Sequence, residues 1–202
     1  MFKLIRIRNY FPDEFKEKYY IREWGHALAI LKCEFKDQFN DMSTVLSSFE
    51  LRKSNIISGG GGKSKVSGYL DSKLYALGWE EKSFDTAITI DGVMHATPTH
   101  KVDCVKGRVA LDIEWNNKTE FYDRDLNNFR LLHALRAISL GIIVTRTTDL
   151  QISVFKPLGI EKKYGSSTTH LNKLIPKIEG GGAGGCPLLI IAVKPGAYVV
   201  DC

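Results

Sequence analysis

Three acids stand close together in the stretch DCVKGRVALDIEW, residues 103–115: Asp103, then Asp112 after eight intervening residues, then Glu114. Alternating apolar residues on both sides of Lys106-Gly107 predict a β-hairpin with that pair as its turn. Val105 would then face Arg108, Cys104 would face Val109, and Asp103 would face Ala110. Side chains alternate with period two along a strand, so Asp103, Ala110, Asp112 and Glu114 share one face, while Val109, Leu111, Ile113 and Trp115 pack on the other. Asp103 and Asp112 become diagonal neighbours, with Cβ atoms about 7–8 Å apart or a little less. Left alone, such a cluster repels itself and one carboxyl tends to hold a proton. A hard divalent cation relieves the repulsion, and Mg²⁺ suits the site because it needs only one or two carboxylates and fills its other positions with water and phosphate oxygens. That arrangement makes a hydroxide nucleophile and stabilises charge on a phosphate in transit. Solvated acids on an exposed strand face are the plainer alternative, adequate for a lone D-x-E but less so for three converging acids in a chain of net charge +5.

These acids need a scaffold, and the remaining pattern predicts one. Between Asp13 and Phe39, the residues Phe15, Tyr19, Trp24, Leu28 and Leu31 recur at mixed three-to-five spacing and predict one or two amphipathic helices. A further helix is expected over Val66–Leu77, stopped by Gly78. FDTAITIDGVMHA reads as a hairpin turning at Asp91-Gly92. A helix is expected over Leu126–Leu140, with Phe129, Leu132, Leu135 and Ile138 facing the core and Gly141 closing it before the strand IIVT. THLNKLIPKI predicts a short helix before Pro176, and PLLIIAV a last buried strand. Helices bracketing a mixed sheet make an α/β (α+β) architecture. At 202 residues the chain is expected to form one domain, residues 1–202, with an N-terminal helical region and glycine-rich loops at 58–65 and 180–185.

The stretch DCVKGRVALDIEWNNKTEF resembles the PD-(D/E)xK nuclease core, and within it the BglII/BstYI branch of type II restriction endonucleases. That branch shows an Asp, the same eight-residue gap, then Glu-x-Gln on an apolar strand followed by a short polar turn and an aromatic. The likeness extends to the helix ending in LGWEE, the IIVTR strand and the final PLLIIAV strand. It implies a restriction-endonuclease-like core in which Asp103 and Asp112 bind Mg²⁺ with the Ile113 backbone carbonyl, while Glu114 orients or deprotonates the attacking water. It also implies a homodimer that wraps a short palindrome in double-stranded DNA and hydrolyses one phosphodiester per subunit. The polar loop after the penultimate strand reads bases in that branch; here it is YGSSTTH, with Ser166, Ser167, Thr168 and Thr169. Asn117 matches another position that approaches DNA. An acid on an upstream helix assists in some relatives, and Glu50 is the nearest candidate. Two departures stand out: Asp112 replaces the branch's Glu, and Glu114 replaces its Gln and the wider superfamily's water-orienting Lys, although Glu-x-Glu is the BamHI arrangement.

Other constellations point elsewhere less well. GGGGKS, residues 59–64, fails the Walker A pattern because position 57 is Ile57. A mobile loop is the better reading, and Lys63 and Lys65 suit close approach to a phosphate backbone. His95, His100, Asp103 and Cys104 match no zinc finger or knuckle spacing. The four cysteines lie far apart, with no CxxC pair, which favours reduced thiols and a cytoplasmic setting. MFKLIRIRNYF is interrupted by Lys3, Arg6 and Arg8, which excludes a signal-peptide core and predicts a strand. No run approaches the roughly 18 apolar residues of a membrane span. Two rival readings remain: a structure-selective repair or recombination nuclease on the same core, and a non-catalytic DNA-binding module with steep salt dependence and no turnover.

Overall fold

The computed structural model describes residues 10–57, 62–97 and 99–201. The expected strand at MFKLIRIRNYF falls mostly on residues 1–9, outside the described residues. Along the chain run α1 (Asp13–Lys18), β1 (Tyr19–Trp24), α2 (Ala27–Glu34), α3 (Lys36–Ser48), β2 (Leu51–Arg52), α4 (Lys53–Ile57) and α5 (Lys65–Tyr75). Then come β3 (Glu80–Lys82), β4 (Ala87–Ile90), β5 (Val93–Ala96), β6 (Val102–Lys106), β7 (Val109–Ile113), α6 (Glu120–Ala134), β8 (Leu140–Arg146), α7 (Leu171–Glu179), β9 (Leu188–Val193) and β10 (Tyr198–Val199).

The central sheet has six strands in the order β1-β9-β8-β7-β6-β3. Strands β7, β8 and β9 run parallel, and β6 and β1 are antiparallel to their neighbours. Every residue of β7, β8 and β9 is buried, as expected of parallel strands covered on both faces. One face presents Leu111, Ile113, Val144 and Ile191 to Leu28, Met42 and Leu70 of α2, α3 and α5. The opposite face presents Ala110, Ile143 and Ile190 to Leu126 and Phe129 of α6 and Leu174 of α7. The architecture is therefore the expected mixed α/β one. The β4–β5 hairpin turns at Asp91-Gly92 as expected, but it forms a separate two-stranded sheet.

Several expected boundaries shift for identifiable reasons. The helical spacing between Asp13 and Phe39 is broken by β1, which is a strand because its backbone pairs with β9 along six residues. Part of the segment expected as a loop after Ser54 is helical, as α4. Helix α6 starts six residues earlier than expected, with Glu120 and Asp123 in its first turn, where negative charge suits the helix dipole. It also ends earlier, so Leu135 is exposed instead of packed. Gly141 lies inside β8, where the Phe129 ring rests on it: a Cβ there would sit 2.4 Å from Phe129 Cδ2. Pro176 lies within α7 and not beyond its end.

Candidate active site

The β6–β7 hairpin turns one residue later than expected, at Gly107-Arg108. Lys106 pairs with Val109, Val105 with Ala110 and Cys104 with Leu111. Gly107 takes φ 59° at the first turn position, where glycine is favoured. Relative to the expected pairing the register moves by two residues, so every side chain keeps its face, but Asp103 comes level with Asp112 and not with Ala110. Here the two carboxylates take over the cross-strand bonding. The Asp103 N–H donates to Asp112 Oδ1 at 2.9 Å, and the Ile113 N–H donates to Asp103 Oδ2 at 2.9 Å. Amide and carbonyl of one strand residue point to the same side, so the Ile113 carbonyl is also turned toward Asp103.

Helix α6 roofs this face and brings two residues that the sequence reading missed. Asp112, Glu114 and Asp125 are only 1%, 1% and 2% exposed. Arg124 Nε and Nη2 hold Asp125 Oδ1 at 2.8 and 2.7 Å, and Nη2 lies 3.5 Å from Glu114 Oε1. The Asn117 amide donates to Glu114 Oε2 at 2.9 Å. Burial pushes Asp112 well above the usual carboxylate range, and the neighbouring Asp125 and Asp103 charges add to it. Burial, then the Asp125 charge, pushes Glu114 up to about 9. Asp125 and Asp103 are raised as well, chiefly by burial. A signal for Asp125 exists in the sequence: it stands three residues after Tyr122 and four before Phe129, on the buried stripe of an amphipathic helix.

On the other side of the hairpin, α5 brings a further acid. Buried Asp71 forms an ion pair with Lys63 and accepts a hydrogen bond from Cys104 Sγ at 3.6 Å. Burial raises the proton affinity of Asp71 and the Asp103 charge adds to it, while the Lys63 charge opposes the rise in both Asp71 and Asp103. Lys63 thus sits against the acids, while Lys65, exposed, reaches the Ser54 carbonyl at 3.4 Å. Glu50 is not on an upstream helix. It lies past the end of α3 and pairs with Arg52.

The expected base-reading loop packs beside the turn that follows β7. Thr119 N–H donates to the Ser167 carbonyl, Thr169 N–H to the Asn117 carbonyl, and Asn117 N–H to Thr169 Oγ1. Ser166 and Ser167 are exposed, so they remain free to meet a ligand. Thr169 is fully buried, and Thr168 accepts from Arg146 Nη2 at 2.8 Å, so both hydroxyls are committed inside the protein. Arg146 itself is buried beside the stacked Phe155 and Tyr164 rings, 5.3 and 5.6 Å from their centroids, with no ion pair to a carboxylate among the described residues.

The donor set fits a hard divalent cation. Asp112 Oδ2 is buried without a hydrogen-bond partner, and Asp103 and the Ile113 carbonyl add oxygen donors beside it. Among the described residues no three His, Cys, Asp or Glu side chains form a metal cage. Two carboxylates and a carbonyl match an ion that keeps several waters. A consequence follows for stability. A carboxyl whose folded pKa exceeds its unfolded value binds more protons when folded, so stability falls as pH rises between the two values. For Glu114 that window runs from 4.5 to about 9. In chelator, the melting temperature is therefore expected to drop as pH rises through this window, and Mg²⁺ or Ca²⁺ should restore it at the alkaline end. A profile that is flat in chelator and indifferent to added cation would contradict this.

Comparison with protein families adds one match: the family described as restriction endonuclease BglII/BglIII aligns with residues 19–193. Comparison with curated proteins gives no match.

Proposed function

The chain belongs to the restriction endonuclease BglII/BglIII family and is a type II site-specific deoxyribonuclease acting on double-stranded DNA; from that premise we propose that it cuts a short palindromic site as a Mg²⁺-dependent homodimer. The observation that carries the catalytic part is the reciprocal bonding of Asp103 and Asp112, which leaves Asp112 Oδ2 buried and without a partner beside them. Asp103, Asp112 and the Ile113 carbonyl hold the cation. When bound, the cation supplies an activated water and neutralises charge on the phosphate. Glu114, fixed by Asn117, orients that water and accepts its proton. Exposed Ser166 and Ser167, next to Asn117, face the bases, and Lys63 and Lys65 border the phosphate backbone. Pairing of β1 with β9 supports a single endonuclease domain. Exposed Leu135 at the end of α6 supports a subunit contact there. No described helix is long and apolar enough to cross a membrane, and Cys33, Cys104 and Cys186 are free thiols, which suits a cytoplasmic enzyme.

The test is to incubate the protein with genomic DNA and Mg²⁺ and to map the fragment ends. One short two-fold-symmetric sequence at every end is expected. Cutting confined to branched DNA would move the assignment to a structure-selective nuclease. Glu114→Gln then separates base from ligand: loss of rate without a change in the Mg²⁺ concentration needed identifies a base, and a shifted Mg²⁺ requirement identifies a ligand.

A further inference from the structure

The site lacks a cation on the catalytic strand, because residue 114, where the wider superfamily places lysine, is an acid. Helix α6 puts one beside it. The Arg124 guanidinium lies over the Phe121 ring, 4.3 Å from its centroid, and is gripped by Asp125 Oδ1 through Nε and Nη2. A guanidinium held by a ring face and a buried carboxylate keeps its orientation at low entropic cost. Its charge acts on Asp103 and Asp112 as well as on Glu114 and Asp125. The side chain is 30% exposed, whereas those of Glu114 and Asp125 are 1% and 2% exposed. Arg124 is thus the layer between the buried acids and solvent, where a phosphate has to arrive. Nη1 makes no hydrogen bond among the described residues.

Resting on the nuclease reading above, we propose that Arg124 is a catalytic residue that binds a non-bridging oxygen of the scissile phosphate. As the water oxygen bonds to phosphorus and one P–O ester bond breaks, negative charge builds on the non-bridging oxygens. The water's proton passes toward Glu114, and the departing oxygen takes a proton from solvent. Arg124 donates its free N–H groups to the charge that develops. Asp125 is its positioning residue, and their shared contact with Glu114 keeps the guanidinium over the acids. Lys63, the other cation near Asp103, is engaged by Asp71 on the far side of the hairpin.

The experiment uses DNA containing the site that the parent protein cuts. In single-turnover cleavage with Mg²⁺, Arg124→Ala is expected to lose about 10²–10³-fold in rate, the usual effect of deleting one donor to a developing oxyanion. Arg124→Lys, and guanidinium ion added to Arg124→Ala below denaturing concentrations, should each recover part of it. A second readout needs no turnover: in metal-free buffer the parent should bind ordinary DNA more tightly than DNA with an uncharged methylphosphonate at the cut position, and Arg124→Ala should lose that preference. A purely structural role would lower the melting temperature and leave the preference intact, which overturns the proposal. So would Arg124→Ala cutting at close to the parent rate, or Lys63→Ala losing more rate than Arg124→Ala. If the parent itself yields no fragments, the nuclease reading fails and this inference with it; if only the variant results disagree, the inference fails alone.

Discussion

Asp112→Asn is expected to stop DNA cleavage and, in the absence of metal, to make the protein more stable. The two effects have one origin. The Asp112 carboxylate is buried beside Asp103 and Asp125, and burial already pushes it well above the usual carboxylate range. Asparagine keeps the acceptor for the Asp103 N–H and removes the charge. It also removes an anionic donor to the cation, and loss of several kcal/mol of charge stabilisation slows the reaction by about a thousandfold or more. Asp103→Asn should cost comparable activity, since Asp103 is the other proposed anionic donor. On the stability side the gain should grow as pH rises above the ordinary carboxylate range, because the unfolded chain then gives up the proton that burial makes Asp112 hold. For a chain of this size each kcal/mol corresponds to about 2–4 °C in melting temperature. Cleavage and melting in chelator, measured side by side at acid and alkaline pH, check both signs. Active Asp112→Asn would remove this residue from the metal site. A variant that melts lower at alkaline pH would mean that the carboxylate's hydrogen bonds outweigh its burial.

The largest stability effect is expected at Phe129, an apolar side chain. Its ring is fully buried and lies against Gly141 of β8, seating α6 on the sheet. Phe129→Ala should cost about 3–5 kcal/mol through lost burial and the cavity left behind. Gly141→Ala should cost about 1–3 kcal/mol for the opposite reason, since its methyl would enter the ring. Combined, the two should cost less than the sum, because the alanine at 141 partly fills the space that the ring vacates. Urea unfolding of the four proteins measures this cycle, and strict additivity would sink it. The cleavage rate, taken where Phe129→Ala is still folded, should also fall, because α6 carries Arg124 and Asp125 to the acids.

Much of the site was legible because strand alternation is robust. The hairpin's turn moves by one residue, yet Asp103, Asp112 and Glu114 still share a face, since the pairing shifts by an even number. Their burial was not legible, because it depends on α6 docking over them. Asp71 and Asp125 each carried a local sign, an acid on an apolar helical stripe. Which strand each helix would cover depends on contacts between residues far apart in sequence. Strand β1 was hidden for the same reason: Tyr19 and Trp24 fit a helical spacing, and only pairing with Leu188–Val193 makes the segment extended. Glu50 was the nearest candidate for an acid on an upstream helix. The chain carries it instead toward the β2–β10 pair, where Arg52 takes it up.

In the proposed reading of bases by the Ser166–Thr169 loop, Arg146 bears on fidelity. The cation that holds the Ser166–Thr169 loop packs beside two stacked aromatic rings, bonds a hydroxyl and has no ion pair to a carboxylate among the described residues. Dissolved ions screen charges at the surface and reach buried contacts far less. Raising the salt should therefore weaken adhesion to all DNA alike, through the lysines that meet phosphates, while the loop keeps its shape. How tightly the enzyme holds DNA and how well it tells one sequence from another would then be set by separate parts of the molecule, and ionic strength would tune the first with little effect on the second.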